Sequence, residues 1–178
     1  MSSLAYKYIL HEAAHAVIAE YLGITIIAVI IECTKASILT DDTEIQLLKI
    51  KSRKEKLEII NKDICMSLSG FVAMSLLLPN TKEDIEMYTK DSSEDILYAE
   101  DSIKKYYINF KQIKDILVKK TYTLVQEKQH QIKRVADKLT LTHTVVNKER
   151  PLSIFNGTHL QFYVTKGIQV DMPQFLRS

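Results

Sequence analysis

The spacing of hydrophobic residues along the chain predicts a protein made mainly of helices. The first helix is expected to begin at Ser2 or Ser3 and to reach about Leu22, where Gly23 can end it. Its apolar residues recur at steps of three and four: Leu10, Ala13, Ala14, Val17 and Tyr21. This pattern predicts a helix that packs against other elements.

Hydrophobic residues at helical spacing predict three further helices. The first begins at residue 43 or 52 and ends at about 78, and the other two span about 92–107 and 110–139. Pro79 is placed to stop the first of these. Ser92 and Asp95 have the spacing of a capping box at the start of the second. The polar stretch 80–93 between them is predicted to be a loop.

Two short runs rich in Ile and Val, at 24–33 and 36–40, predict a β-hairpin, because branched residues in short runs favour strands. Alternating apolar residues in the tail, at 159–170, predict a short strand or hairpin. The expected fold class is therefore mainly α (α+β), with a small β-hairpin or sheet next to the first helix. We expect one domain over residues 1–155 and a C-terminal extension over 156–178, packed on the same domain.

Composition narrows the function classes. The 178 residues carry 24 Lys and Arg against 22 Asp and Glu, interspersed along the chain, and this balance argues against a nucleic-acid-binding protein. Cys33 and Cys65 stand alone in apolar surroundings, which favours reduced thiols and a cytoplasmic protein. We expect neither a signal peptide nor a membrane span.

The segment His11-Glu12-Ala13-Ala14-His15 carries the chemistry that the sequence suggests. Two histidines four residues apart lie on the same face of a helix, so both imidazoles can bind one metal ion. Glu12, about 100° round the helix, can act as the general base on a metal-activated water. A catalytic Zn²⁺ usually takes three protein ligands, so another His, Asp or Glu is required.

This segment resembles the signature HEAGHA of the FtsH-like peptidases, the M41 zinc metallopeptidases. Three further segments follow in the order of that family: 68–73 with its Ser-Gly pair, 92–96, and 134–141. The resemblance covers about residues 5–155. It implies a zinc-dependent metallopeptidase whose third metal ligand is Asp95.

The residues themselves leave the third ligand open. Glu94, Asp91, Asp84 and Asp101 are near in sequence, and Asp95 has the alternative role of capping its helix. The chain also departs from the family pattern. Ala14 replaces the signature glycine, and Phe71 and Met74 stand where the family carries arginine and glutamate, so the groups that support the metal ligands are expected to differ.

The sequence contains no Gly-x-x-x-x-Gly-Lys phosphate loop. We therefore expect an enzyme that needs no ATP itself and hydrolyses flexible or unfolded polypeptides. One alternative is a degenerate peptidase module that acts as a binding or regulatory protein. Another is a peptidase subunit that works with a separate ATPase or as a homo-oligomer.

Overall fold

The mainly helical class predicted from the sequence is confirmed. The computed structural model describes residues 3–24, 26–31, 36–40, 47–145 and 161–164, with side chains for 6–24 and 47–140. The main elements are α1 (Ser3–Leu22), β1 (Ile26–Ile31), β2 (Ala36–Thr40), α2 (Arg53–Leu77), α3 (Lys82–Asp91), α4 (Ser93–Tyr106), α5 (Phe110–Val145) and β3 (Gln161–Val164). The predicted boundary at residue 155 and most of the tail lie outside the described residues, so the division into domains stays a prediction.

Helix α1 lies in the centre of the fold. Every residue from Ile9 to Ala19 is 8% exposed or less, because α2 and α5 both pack against it. Small side chains at Ala13, Ala14 and Ala16 allow these neighbouring helices to come close. The polar residues of this segment are therefore buried together with its apolar ones.

The hydrophobic core joins α1 to α2, α4 and α5. Its largest fully buried side chains come from these four helices: Ile9, Leu10, Val17, Ile18, Ile64, Met74, Ile103, Val125, Ile132 and Leu139. Burying one such side chain stabilises the fold by about 1.5–3 kcal/mol. The core thus fixes α2 and α4 against the buried face of α1.

The end of α1 follows the sequence prediction. Gly23 adopts a left-handed conformation with φ of 72°. The amide of Gly23 donates to the carbonyl of Glu20 over 3.1 Å, and the amide of Ile24 donates to the carbonyl of Ala19 over 2.9 Å. This is a Schellman motif, in which glycine at the left-handed position ends a helix.

The prediction of a loop over residues 80–93 is wrong, because most of that stretch forms helix α3. Thr81 and Asp84 make a capping box: the Thr81 hydroxyl accepts from the Asp84 amide and the Asp84 carboxylate accepts from the Thr81 amide. Tyr88 anchors the helix, being 3% exposed and donating its hydroxyl to the carbonyl of Pro79 over 2.9 Å. Reciprocal capping and one buried aromatic residue hold an otherwise polar helix in place.

The predicted capping box at Ser92 and Asp95 is also wrong. Ser92 occupies the N-cap position of α4, but its side chain makes no capping hydrogen bond. Both side chains instead face the histidines of α1. Ser92 and Asp95, which were predicted to cap the helix, therefore contribute their polar side chains to the candidate site.

Three short backbone segments pair with one another in the order β2-β1-β3. β1 pairs antiparallel with β2, with Val29 opposite Ile38, and parallel with β3, with Val29 opposite Phe162. The candidate site is built from the helices.

Helix α2 is the one described helix that is long and apolar enough to cross a membrane by length and composition. Its most apolar 18-residue window is 67% buried within the fold. A core helix passes the same test, so this feature is weak evidence for a membrane span. The expected absence of a span stays a prediction.

Candidate metal centre

Three potential metal-binding side chains converge between α1 and α4: His11, His15 and Asp95. One ligand atom from each lies within 4.8 Å of the others. The Nε2 atoms of His11 and His15 are 2.8 Å apart, and the two rings meet edge to face at an interplanar angle of 82°. One helical turn separates the two residues, as the sequence pattern requires.

Asp95 approaches both histidines from the first turn of α4. Its Oδ2 atom lies 3.0 Å from Nε2 of His11 and 3.4 Å from Nε2 of His15. The side chain of Asp95 is 33% exposed, whereas those of His11 and His15 are 10% and 4% exposed. The cluster is therefore buried on the side of α1 and open to solvent on the side of Asp95.

The other carboxylates considered from the sequence are engaged elsewhere or exposed. Asp91 forms an ion pair with Lys7, and Asp84 belongs to the cap of α3. Asp101 pairs with Lys104 over 3.3 Å, and Glu94 is exposed. Among these candidates, the structure brings only Asp95 to the two histidines.

Helix α2 supports His15 through its backbone. Nδ1 of His15 lies 2.7 Å from the carbonyl oxygen of Met66, so this nitrogen carries the proton and donates it. The hydroxyl of Ser69 donates to the same carbonyl over 2.6 Å and lies 3.3 Å from Nδ1. These contacts direct Nε2 at Asp95 and His11, where it can bind a metal ion once it has lost its proton.

His11 lies flat against the backbone of α2 at Gly70. A Cβ atom built on Gly70 would be 2.5 Å from both Cε1 and Nδ1 of the His11 ring. No side chain fits at that distance, so glycine is required for the imidazole to occupy this place. Nδ1 of His11 also lies 3.4 Å from the Ser92 hydroxyl.

Glu12 is buried beside the three converging groups without a hydrogen-bond partner for one of its oxygens. The residue is 5% exposed, and its Oε2 atom has no partner among the described residues. Burial raises the pKa of the Glu12 carboxyl, and the nearby His15 and His11 oppose that rise. A buried carboxylate oxygen without a partner is costly, which is typical of a group that interacts with a ligand.

The charges in this cluster depend on one another. Burial acts to lower the pKa of His15, but the hydrogen bond to Asp95 and the charge of Glu12 outweigh it and raise that pKa to about 9. Burial acts to raise the pKa of Asp95, but its hydrogen bonds to His11 and His15 prevail and lower it. Without a metal ion, these interactions favour the protonated form of His15.

The donor set fits a zinc ion. Four ligands placed tetrahedrally at about 2.0–2.1 Å from zinc are about 3.3–3.4 Å from one another. The separations of 2.8, 3.0 and 3.4 Å between the three donor atoms approach that geometry. Two imidazoles and a carboxylate also suit other divalent transition metals, so the cluster by itself does not select zinc.

Two residues that contact the histidines were not predicted from the sequence to do so: Met66 and Ser92. The contact of Met66 is made by its backbone carbonyl, so it cannot be inferred from the identity of the side chain. Ser92 was interpreted as a helix cap. Among the described residues, Ser69, the Met66 carbonyl and Ser92 provide polar contacts to the histidines.

Comparisons of the chain with protein-family models, curated proteins and solved structures find no match. The resemblance to the FtsH-like peptidases therefore rests on the sequence motifs alone.

Proposed function

We propose that this protein is a zinc-dependent metallopeptidase. The observation that carries the proposal is the convergence of His11, His15 and Asp95 next to a buried Glu12 oxygen that has no partner among the described residues. In this proposal the three converging residues hold Zn²⁺, and the chemistry assigned to Glu12 is proton transfer. The resemblance of the segment around His11 to the M41 signature supports the same conclusion.

A zinc ion held by these residues would supply a Lewis acid that acidifies water and polarises the substrate carbonyl. The chain's own groups perform the other tasks. Glu12 accepts the proton of the attacking water and passes it to the departing amine, which is the role of a general base and then of a general acid. Its raised pKa brings the carboxyl closer to the value that such a shuttle needs.

The supporting residues keep the reactive groups in place. The carbonyl of Met66 fixes the proton of His15 on Nδ1, and Gly70 gives His11 room against α2. Asp95 faces solvent on the open side of the cluster, where a polypeptide can approach. Burial of His11, Glu12 and His15 excludes bulk water from the other side.

We propose that the substrate is a flexible or unfolded polypeptide, bound as an extended chain against the sheet. Both β1 and β2 approach α1, and β2 is one of the two outer strands in the order β2-β1-β3 of the described strands. Pairing of an extended peptide with a sheet edge provides affinity with little sequence preference. Proline at Ile38 should therefore lower cleavage while zinc content is unchanged, and cleavage at the wild-type rate would overturn this part of the proposal.

The proposal is tested by zinc content and proteolysis measured together. The purified protein should hold one zinc ion per chain and cleave an unfolded casein-like substrate. His15→Ala should lose both properties, and a chelator should abolish cleavage by the wild type until zinc is restored. Absence of zinc binding would overturn the proposal, whereas zinc without cleavage would favour the degenerate module or a missing ATPase partner.

A further inference from the structure

An ion pair between a buried lysine and a partly buried carboxylate lies next to the candidate metal centre and is not part of it. Lys7 on α1 pairs with Asp91 at the end of α3, and their side chains are 5% and 18% exposed. The Lys7 ammonium also lies 4.9 Å from the centre of the Tyr8 ring. Lysine is almost never so completely buried, because removing its charge from water is costly even when it is paired.

The two residues of this pair are close in sequence to the proposed metal ligands on α1 and α4. Lys7 precedes His11 by one turn of α1, and Asp91 is followed directly by Ser92, which lies 3.4 Å from Nδ1 of His11. Helix α3 ends at Asp91 and α4 begins at Ser93, so Ser92 alone separates the two helices. A contact that fixes Asp91 therefore fixes the beginning of the helix that carries Asp95.

The N-terminus of α4 has no capping hydrogen bond from the Ser92 side chain to hold it. The contacts of this junction with α1 fall instead within five consecutive residues: Asp91 with Lys7, Ser92 with His11, and Asp95 with His11 and His15. The first of these contacts does not involve a ligand, so it can hold the junction before a metal ion arrives.

We infer that Lys7 is a positioning residue that sets the distance between Asp95 and the two histidines through its ion pair with Asp91. The pair also keeps the Asp91 carboxylate on Lys7, and so leaves Asp95 as the carboxylate that faces Nε2 of both histidines. Two apolar residues in place of Lys7 and Asp91 would fill similar space but would lack the directional contact. Such replacements of ion pairs often leave a protein stable, so the positioning role can be tested separately from folding. This role rests on the proposed function, since it concerns the affinity of the same site for zinc.

The test compares zinc affinity in three variants with that of the wild type. Lys7→Met removes the charge with little change in length, and the double variant Lys7→Met/Asp91→Leu replaces the whole pair by apolar side chains. Lys114→Met is the control for loss of a lysine ion pair: Lys114, which is more exposed than Lys7, pairs with Glu100 over 2.6 Å and joins α5 to α4 without reaching the ligands. Circular dichroism checks that each variant is folded, and the double variant decides the question if Lys7→Met does not fold.

Both variants at Lys7 should bind zinc about 10- to 100-fold more weakly, the usual loss when a group that orients a metal ligand is removed. Their cobalt(II) absorption spectra should also change, because the arrangement of the ligands changes. Lys114→Met should match the wild type in both measurements. A merely structural role would leave the folded double variant with wild-type affinity and spectrum.

Wild-type zinc affinity in the double variant, or an equal loss in Lys114→Met, would overturn the inference and leave the proposed function standing. Failure of the wild type itself to bind zinc would overturn the proposed function and this role together. The two failures are therefore distinguished by the wild-type measurement.

Discussion

The ring of His11 occupies the space that a side chain at position 70 would fill. A Cβ atom at Gly70 would be 2.5 Å from Cε1 and Nδ1 of the imidazole, well inside the distance that real atoms allow. Glycine at position 70 of α2 therefore allows the His11 ring of α1 to lie in this place. Substituting this glycine is a direct test of the geometry.

Gly70→Ala should weaken zinc binding by at least about 10-fold, because the added methyl group displaces His11 from its place against α2. The measurement is a zinc titration against a competing chelator. The affinity should fall even where circular dichroism shows a folded helical protein.

Gly23→Ala is the control for that substitution. Gly23 has φ of 72° and no atom within 4 Å of a built Cβ, so alanine there is strained but meets no ligand. It should lower the free energy of unfolding by about 1–2 kcal/mol and leave zinc affinity unchanged. Equal zinc affinity in Gly70→Ala and wild type would contradict the proposed place of His11.

Asp95→Asn should weaken zinc binding more than about 100-fold, since it removes the charge of a proposed ligand and not only of a group that orients one. Glu94→Gln, which changes the neighbouring exposed carboxylate, should bind zinc like the wild type. The reverse result would identify Glu94 as the ligand and would reject the assignment of Asp95.

The metal-free protein should become less stable as the pH rises from about 6.5 to about 9. The pKa of His15 is raised from 6.5 to about 9 in the folded protein, so protonation stabilises the fold below 6.5 and this contribution is lost as the pH passes about 9. Asp95, whose pKa is lowered from 3.8, contributes stability above that value and does not act in this range. Thermal unfolding in the presence of a chelator measures the effect.

Zinc should reverse this dependence. The metal binds the unprotonated Nε2, so its affinity should increase over the same pH range. His15→Gln should lack the loss of stability between about 6.5 and about 9. A metal-free wild type whose melting temperature rises over this range would contradict the arrangement of His15, Asp95 and Glu12.

Thr81→Ala tests helix α3. The substitution removes one side of the capping box with Asp84 and should lower the free energy of unfolding by about 1 kcal/mol without a change in zinc affinity. Thr89→Ala, at an exposed position of the same helix, should not lower stability, because alanine is the better helix former. No effect of Thr81→Ala on urea denaturation would mean that the cap does not hold α3.

The first helix and its end could be predicted because their causes are local. Hydrophobic spacing and the left-handed preference of Gly23 act within a few residues. Helix α3 was missed because Tyr88 is its one buried residue, so hydrophobic periodicity was weak. The sequence feature that indicates the start of α3 is the spacing of Thr81 and Asp84, which form a capping box. Ser92 and Asp95 have the same spacing, but they do not form the predicted cap.

The two histidines of the candidate site could be predicted because they are four residues apart, which places them on one face of a helix. The third converging residue could not be chosen from such local spacing. Asp84, Asp91, Glu94 and Asp95 are close in sequence and similar in chemistry. Their surroundings depend on how α3 and α4 pack against α1, which no local pattern contains. The carbonyl of Met66 and the ion pair of Lys7 are likewise results of tertiary packing.

The most direct measurement is the activity of Glu12→Gln loaded with zinc. The substitution keeps the size of the side chain and removes its ability to accept a proton. Zinc should remain at one ion per chain, while cleavage of unfolded casein should fall by about 10²- to 10⁴-fold, the usual contribution of a general acid or base. Cleavage at the wild-type rate by a zinc-loaded Glu12→Gln protein would contradict the proposed peptidase mechanism.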